Sequence, residues 1–196
     1  MKRLLWITLV LILPGVALGA TFTVRPGGEN KVTFISKASM ERFEGKTRHL
    51  EGSIDVDPAN LGDSARVHFE VDMATLDTGI PMRNRHMREN HLETAKYPKA
   101  IFDGVSIHAP VSALVAGKST PLEVEGTFTL HGVSQRIHIR VEATYKLQKT
   151  GEQIAFRTSF PVTLSEYQIS RPQFLFMKLA ETQEVQVRGV ATATAP

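Results

Sequence analysis

The densest group of residues able to do chemistry lies between positions 83 and 88. There Arg83, Arg85, His86 and Arg88 place three guanidiniums and an imidazole within six residues. Guanidiniums bind phosphate or pyrophosphate through paired, charge-assisted hydrogen bonds, so the cluster could hold an anionic head group. The other reading is a solvated helix face with Glu89 and Glu93 as partners, which is what charge runs usually are. The chain also has seven histidines. His86 and His91 are five apart, so on an α-helix they diverge by about 140°. His131 and His138 flank a hairpin and could approach each other. No His-Glu-x-x-His pattern holds any pair, and scattered surface histidines are the better account. No metal or cofactor is expected.

Covalent catalysis has little to work with. Cysteine is absent, no Gly-x-Ser-x-Gly elbow occurs, and Ser134 sits in a turn beside Gln135 and Arg136. Glycine-rich phosphate loops are missing too. These observations favour a protein that is not an enzyme.

The elements that must position these residues are strands. Val67, Phe69 and Val71 alternate with Arg66, His68, Glu70 and Asp72. The same period returns in 122–130, 136–147 and 153–164, and a last strand begins near Glu184 with Val185 and Val187. Successive side chains on a strand face opposite sides, so these are antiparallel strands with one dry and one wet face. Earlier strands are expected at 21–24, 31–38, 50–57 and 65–72, with an irregular stretch through Phe43 and Gly45. Another is expected at 100–109, where Asp103-Gly104 suits a bulge that resets the face. His131-Gly132-Val133-Ser134 and Lys149-Thr150-Gly151-Glu152 supply hairpin turns. Residues 75–98 break the alternation and read as a short helix or compact loop. The tail 191–196 is small and polar enough to fray. The predicted architecture is all-β: an antiparallel sheet of eight or nine strands in one domain, interrupted by one helical segment. Such a sheet must pack on a second sheet or close into a barrel.

Lys2 and Arg3 precede an apolar run, Pro14-Gly15 breaks it, and Ala17-Leu18-Gly19 offers small residues to a signal peptidase. This predicts a signal peptide over 1–19, cleaved after Gly19, and a mature domain over 20–196. The apolar run is short for a membrane anchor, which needs roughly 20 residues. Losing Lys2 and Arg3 lowers the formal charge from +3 to +1, so the balance gives no reason to expect nucleic acid. An exported domain without cysteine must be stabilised by its core alone, and a periplasmic or extracellular setting fits.

Strand parity nominates Phe34, Phe69, Val71, Phe102, Phe128, Leu130, Ile139, Val141, Phe156 and Phe160 as inward-facing. Periodicity cannot separate a filled core from a lined pocket. A family resemblance bears on that choice. Gly45 and Gly52-Ser-Ile-Asp-Val-Asp-Pro58 are similar to the early strand pair of the YceI-like family, also called periplasmic polyisoprenoid-binding proteins. Arg83-x-x-His86-Met-Arg88 followed by Tyr97-Pro98-Lys-Ala-Ile-Phe102 resembles its central segment. Val124-Glu-Gly-Thr-Phe-Thr-Leu-His-Gly-Val133 resembles its hairpin. The chain departs from the pattern at Asn84, where the family often has Asp, and at His91-Leu92, where it often has a Phe pair. Ile169-Ser170-Arg171-Pro172 is a further variant.

The resemblance implies a lipocalin-like barrel with an apolar tunnel, exported, non-enzymatic and binding its ligand without a metal. It turns the ten inward residues into a lining for a long isoprenoid or fatty chain. Arg83, His86 and Arg88 become candidate contacts for a polar head. After signal removal no stable membrane insertion is expected, and a homodimer is left open. The alternative is a ligand-free interaction or stress-protective module whose barrel is filled.

Overall fold

The computed structural model describes residues 19–37, 42–62, 65–171, 173–174 and 177–194. The expected leader, apart from Gly19, lies outside them. The first strand, β1 (Ala20–Val24), is followed by β2 (Lys31–Lys37), β3 (Arg42–Thr47), β4 (Leu50–Val56) and β5 (Arg66–Asp72). Then come helix α1 (Pro81–His86) and a π turn (Met87–His91). The rest is strand again: β6 (Lys99–His108), β7 (Ser119–Leu130), β8 (Val133–Gln148), β9 (Gly151–Thr163) and β12 (Thr182–Ala193). A two-residue hairpin, β10 (Gln173–Phe174) and β11 (Met177–Lys178), precedes β12.

All neighbours pair antiparallel in the order β1-β4-β5-β6-β7-β8-β9-β12, and β12 returns to β1, closing an eight-stranded barrel. Closure leaves this ring without an exposed edge. β2 and β3 continue β1 and β4 beyond a corner, so two strands are bent rather than ended there. Gly27 and Gly28 make the corner at positive φ (96° and 57°), where a Cβ would clash with its own backbone. Asn30, buried in the corner, donates from Nδ2 to the Arg25 carbonyl (2.6 Å) and accepts from the Val190 amide (3.0 Å). Its amide group thereby stands in for the ladder that β12 lacks between β1 and β2.

Three expectations need correcting. The stretch through Phe43 and Gly45 is strand β3, paired with β2 from Val32↔Thr47 to Lys37↔Arg42. The bulge lies at Val105, between Gly104 and Ser106, so Val105 turns outward while Ile107 stays buried. The tail does not fray at 191: Ala191 is fully buried, and Thr192 and Ala193 pair with β1 and close the barrel.

The inward aromatic rings have a common seat. Phe34 lies opposite Gly45, Phe69 opposite Gly52 and Phe156 opposite Gly189, while Phe102 lies across Gly126. A Cβ on Gly45 would overlap the Phe34 ring; one on Gly189 would stand 2.5 Å from Phe156, and one on Gly126 2.8 Å from Phe102. Each ring therefore packs on bare backbone of the neighbouring strand, a cross-strand pairing that compensates glycine's lack of a side chain.

The segment between β5 and β6 crosses one end of the barrel. Asn84 holds its start: Oδ1 accepts from the Thr78 amide (2.8 Å) and hydroxyl (2.7 Å), and Nδ2 donates to Asp77 Oδ1 (2.7 Å). That last bond, then the Gly79 amide, keeps the Asp77 carboxyl below its ordinary value. An amide can serve both sides here, whereas a carboxylate could not donate to Asp77. His131 fastens the end of the segment. Its Nε2 is 2.7 Å from Glu93 Oε2 and its Nδ1 is 3.1 Å from the Tyr167 carbonyl, with the Tyr97 ring 4.4 Å away. Glu93, His131 and the adjoining Gln168 all have positive φ (44°, 53° and 55°). Among the described residues, the non-glycine positions in the left-handed region thus converge on this one clasp, and such conformations persist only where surroundings enforce them.

Three substitutions test this packing. Gly189→Ala displaces the Phe156 ring and lowers stability by about 1–3 kcal/mol in urea unfolding. Gly126→Ala costs more, because its Cβ also meets backbone atoms of Asp103 and Gly104. His131→Ala releases the exposed Glu93 and removes the partner of the part-buried Tyr167 carbonyl, at a cost of about 1 kcal/mol; hydrogen exchange should show residues 73–98 deprotected ahead of the barrel strands.

Candidate functional site

The bore holds a cavity of about 650 Å³. That is several times the roughly 150 Å³ at which an apolar hole already takes a benzene-sized guest. It falls within the range of about 300–1,000 Å³ typical of ligand sites. One end is closed by loops that bond to each other: the Leu61 amide donates to Ser112 (2.8 Å) and the Leu114 amide to Pro58 (2.7 Å). Leu61 and Leu114 line the cavity there, and Met87, His91, Leu92 and Leu179 line it at the helical end.

All ten residues nominated by parity line this cavity: Phe34, Phe69, Val71, Phe102, Phe128, Leu130, Ile139, Val141, Phe156 and Phe160. Phe34, Phe69, Val71, Val141 and Phe160 are only half-buried although they point inward, as residues beside a hollow are. Two aromatic contacts shape the bore. Phe69 and Phe156 come from strands on opposite sides of the ring, and their rings stack at 5.0 Å. They form a waist, with cavity lining on both sides of it. Phe128 meets Phe160 and Tyr167 edge to face, each at 5.6 Å, toward the helical end.

The polar members of the lining are few: Ser36, Arg83, His86, His91, Thr158 and Gln183, with no aspartate or glutamate. Most sit at the helical end. Arg83 donates from Nε to the Thr78 hydroxyl and from Nη2 to the Thr78 carbonyl, both at 3.0 Å, and lies 4.2 Å above the Phe43 ring. This guanidinium is anchored by α1 and held flat at the rim. His86 and His91 both reach the lining despite their spacing. The Leu92 amide bonds to the Met87 carbonyl five residues back (2.8 Å), so the turn between them is wider than an α-helical one. His91 Nδ1 faces the Ser170 carbonyl and hydroxyl (3.1 Å each). Burial holds this imidazole below its ordinary value; the Ser170 carbonyl opposes that and His86 adds to it.

Arg88 does not join this group. Its Nη2 donates to the Leu76 carbonyl (2.9 Å), and its Nε is buried without a partner, away from the lining. It braces the crossing segment rather than facing the bore. Arg85 is exposed, and Glu93, read as a partner for the arginines, pairs with His131 instead. His138 stands 4.0 Å from Glu125 on the barrel exterior, so the two hairpin histidines do not meet. Among the described residues no three metal-ligating side chains converge. Strand parity had no signal for Leu61, Leu114, Leu92 and Leu179, because they lie in connections; nor did it separate Ser36 and Gln183 from ordinary strand polars.

Comparison with known proteins follows from this geometry. The YceI-like domain profile matches residues 22–191. A UPF0312 protein of Vibrio parahaemolyticus is 28% identical over 148 residues, covering 72% of this chain and 74% of that protein. Protein YceI of Escherichia coli is 25% identical over 146 residues, 72% of each. Among solved structures, a polyisoprenoid-binding domain from Saccharophagus degradans superposes with a TM-score of 0.71 at 19% identity, covering 90% of this chain and 99% of that one. Burkholderia cenocepacia BcnA superposes with a TM-score of 0.67 at 20% identity, covering 84% and 97%. With the barrel, its crossing helical segment and the profile match over most of its length, the chain belongs to the YceI-like family.

Proposed function

We propose that this protein is an exported carrier that holds one long apolar chain, a polyisoprenoid or fatty-acid-like lipid, in its bore and performs no chemistry on it. The observation that carries this reading is the cavity of about 650 Å³ whose lining is apolar except for a few groups concentrated at one end. The family membership supports a binding role, and the Saccharophagus degradans neighbour described as polyisoprenoid-binding supports the ligand class. Export rests on the basic, apolar and small-residue segments of 1–19, and places the mature domain in the periplasm.

The energetics favour a chain over a compact ligand. Withdrawing a methylene from water yields about 0.8 kcal/mol, so ten of them supply about 8 kcal/mol before the cost of ordering. Each further methylene adds to that term, so a longer tail raises affinity with no demand on a precise polar site. Arg83 and His86 at the rim are the candidate head contacts; Arg88 is withdrawn from that role because it faces Leu76.

Organic extraction of the purified protein, followed by mass spectrometry, should release a long-chain lipid in near-stoichiometric amount. Protein that is repeatedly lipid-free and takes up no added isoprenoid contradicts the proposal. Val141→Trp separates the carrier from a ligand-free barrel with a filled core. In a lined bore the indole has room, so stability stays within about 1 kcal/mol while uptake of a fluorescent fatty acid falls at least tenfold. In a filled core the same change overpacks and costs about 1–3 kcal/mol.

A further inference from the structure

Among the described residues, one polar group lining the bore is buried and has no partner. Ser36 is 1% exposed and lies on the inward face of β2 with Val32 and Phe34. Its hydroxyl is fully buried and makes no hydrogen bond among the described residues. Elsewhere in the lining Thr158 donates to the Arg140 carbonyl (2.6 Å), and His91 faces Ser170. A buried hydroxyl without a partner carries a desolvation cost, which an alanine at the same position would not. The residue next to it is also polar. β2 and β12 pair through Ile35↔Glu184, which sets Gln183 beside Ser36 on the adjoining strand. Gln183 is 7% exposed; its Nε2 donates to the Ala180 carbonyl (2.6 Å), which leaves its Oε1 as an acceptor.

We propose that Ser36 and Gln183 form a head-group subsite at the helical end of the bore, selective for an uncharged oxygen function, in the simplest case the hydroxyl of a long-chain alcohol. This deepens the carrier reading and rests on it. A hydroxyl head matches the pair: it accepts from Ser36 Oγ and donates to Gln183 Oε1. Neither residue carries charge, so a diphosphate or carboxylate brought here would bury its charge without a counter-charge from the pair. Rotation about the Ser36 Cα–Cβ bond is all that the donor needs to meet a head that enters from the cavity. The subsite also orients the ligand: the tail runs past the Phe69–Phe156 waist toward Leu61 and Leu114, and the head stays at the end crossed by α1.

The test compares two C20 probes, geranylgeraniol and its deoxygenated hydrocarbon, with geranylgeranyl diphosphate as a charged third. Each displaces a fluorescent fatty acid from full-length mature wild type and from Ser36→Ala. Wild type should prefer the alcohol over the hydrocarbon by about three- to tenfold, the yield of one or two net hydrogen bonds. Ser36→Ala should shrink that ratio at least threefold, leave hydrocarbon affinity unchanged, and melt at or above the wild-type temperature. An alcohol preference that survives Ser36→Ala overturns the subsite while the carrier reading stands. A preference for the diphosphate over the alcohol overturns its uncharged character. If neither the fluorescent fatty acid nor any probe binds wild type, the carrier reading falls and takes the subsite with it; a bound reporter that the alcohol does not displace overturns the subsite alone. Gln183→Leu supplies a second variant, expected to lower alcohol affinity without moving hydrocarbon affinity.

Discussion

The hollow bore depends on pairing an inward phenylalanine with a glycine on the next strand. An eight-stranded barrel is narrow enough for side chains to fill it. Four phenylalanines pointing inward would do so if each stood on a wall of ordinary side chains. Instead Phe34, Phe69, Phe102 and Phe156 each rest on glycine backbone, at Gly45, Gly52, Gly126 and Gly189, and so lie back by the thickness of a missing side chain. The apolar area that stabilises the barrel is thereby laid along its walls. At Phe69 and Phe156 rings from opposite walls still touch, and the cavity lining continues past that waist.

The two ends of the barrel are built on different principles. The far end is shut by short connections whose backbones bond to each other and present Leu61 and Leu114 inward. The helical end is assembled from segments distant in sequence: β2 and β3 at Ser36 and Phe43, the crossing segment, and Leu164, Ile169 and Leu179. These are held by a small number of specific bonds, chiefly Asn84 to Thr78 and Asp77, and His131 to Glu93 and Tyr167. A structure rigid along its strands and pinned at one end by a few side chains has an obvious place to admit a chain. Local opening there costs far less than breaching the strand ladders.

Much of the barrel was legible in the chain because its inward faces alternate with charged outward ones. Parity alone assigned ten inward-facing residues that lie along the cavity, since each of their strands carries a run of apolar residues on one side; that they face a hollow came from the resemblance. β3 escaped because its inward positions are Phe43, Gly45 and Thr47, only one of which looks like core. Gly45 itself read as a break, when it is the seat that Phe34 requires. The bulge was displaced by one or two residues for a related reason: Gly104 keeps its inward place under Phe102, so the extra residue is Val105. Arg88 could not be told from Arg83 and His86 by spacing, because the π turn changes which residues share a face. Apart from Arg83 and His86, the ends of the cavity were not legible, as their residues sit in connections with no period to read.

The claim on which all of this rests is that rings seated on glycines leave a continuous apolar channel rather than a solid centre. An experimental electron-density map of the purified protein tests it most directly. The account predicts elongated density along the barrel axis, passing beside Phe69 and Phe156 and ending near Ser36. A map in which inward side chains meet along the whole axis, with no continuous space for a hydrocarbon, would contradict it.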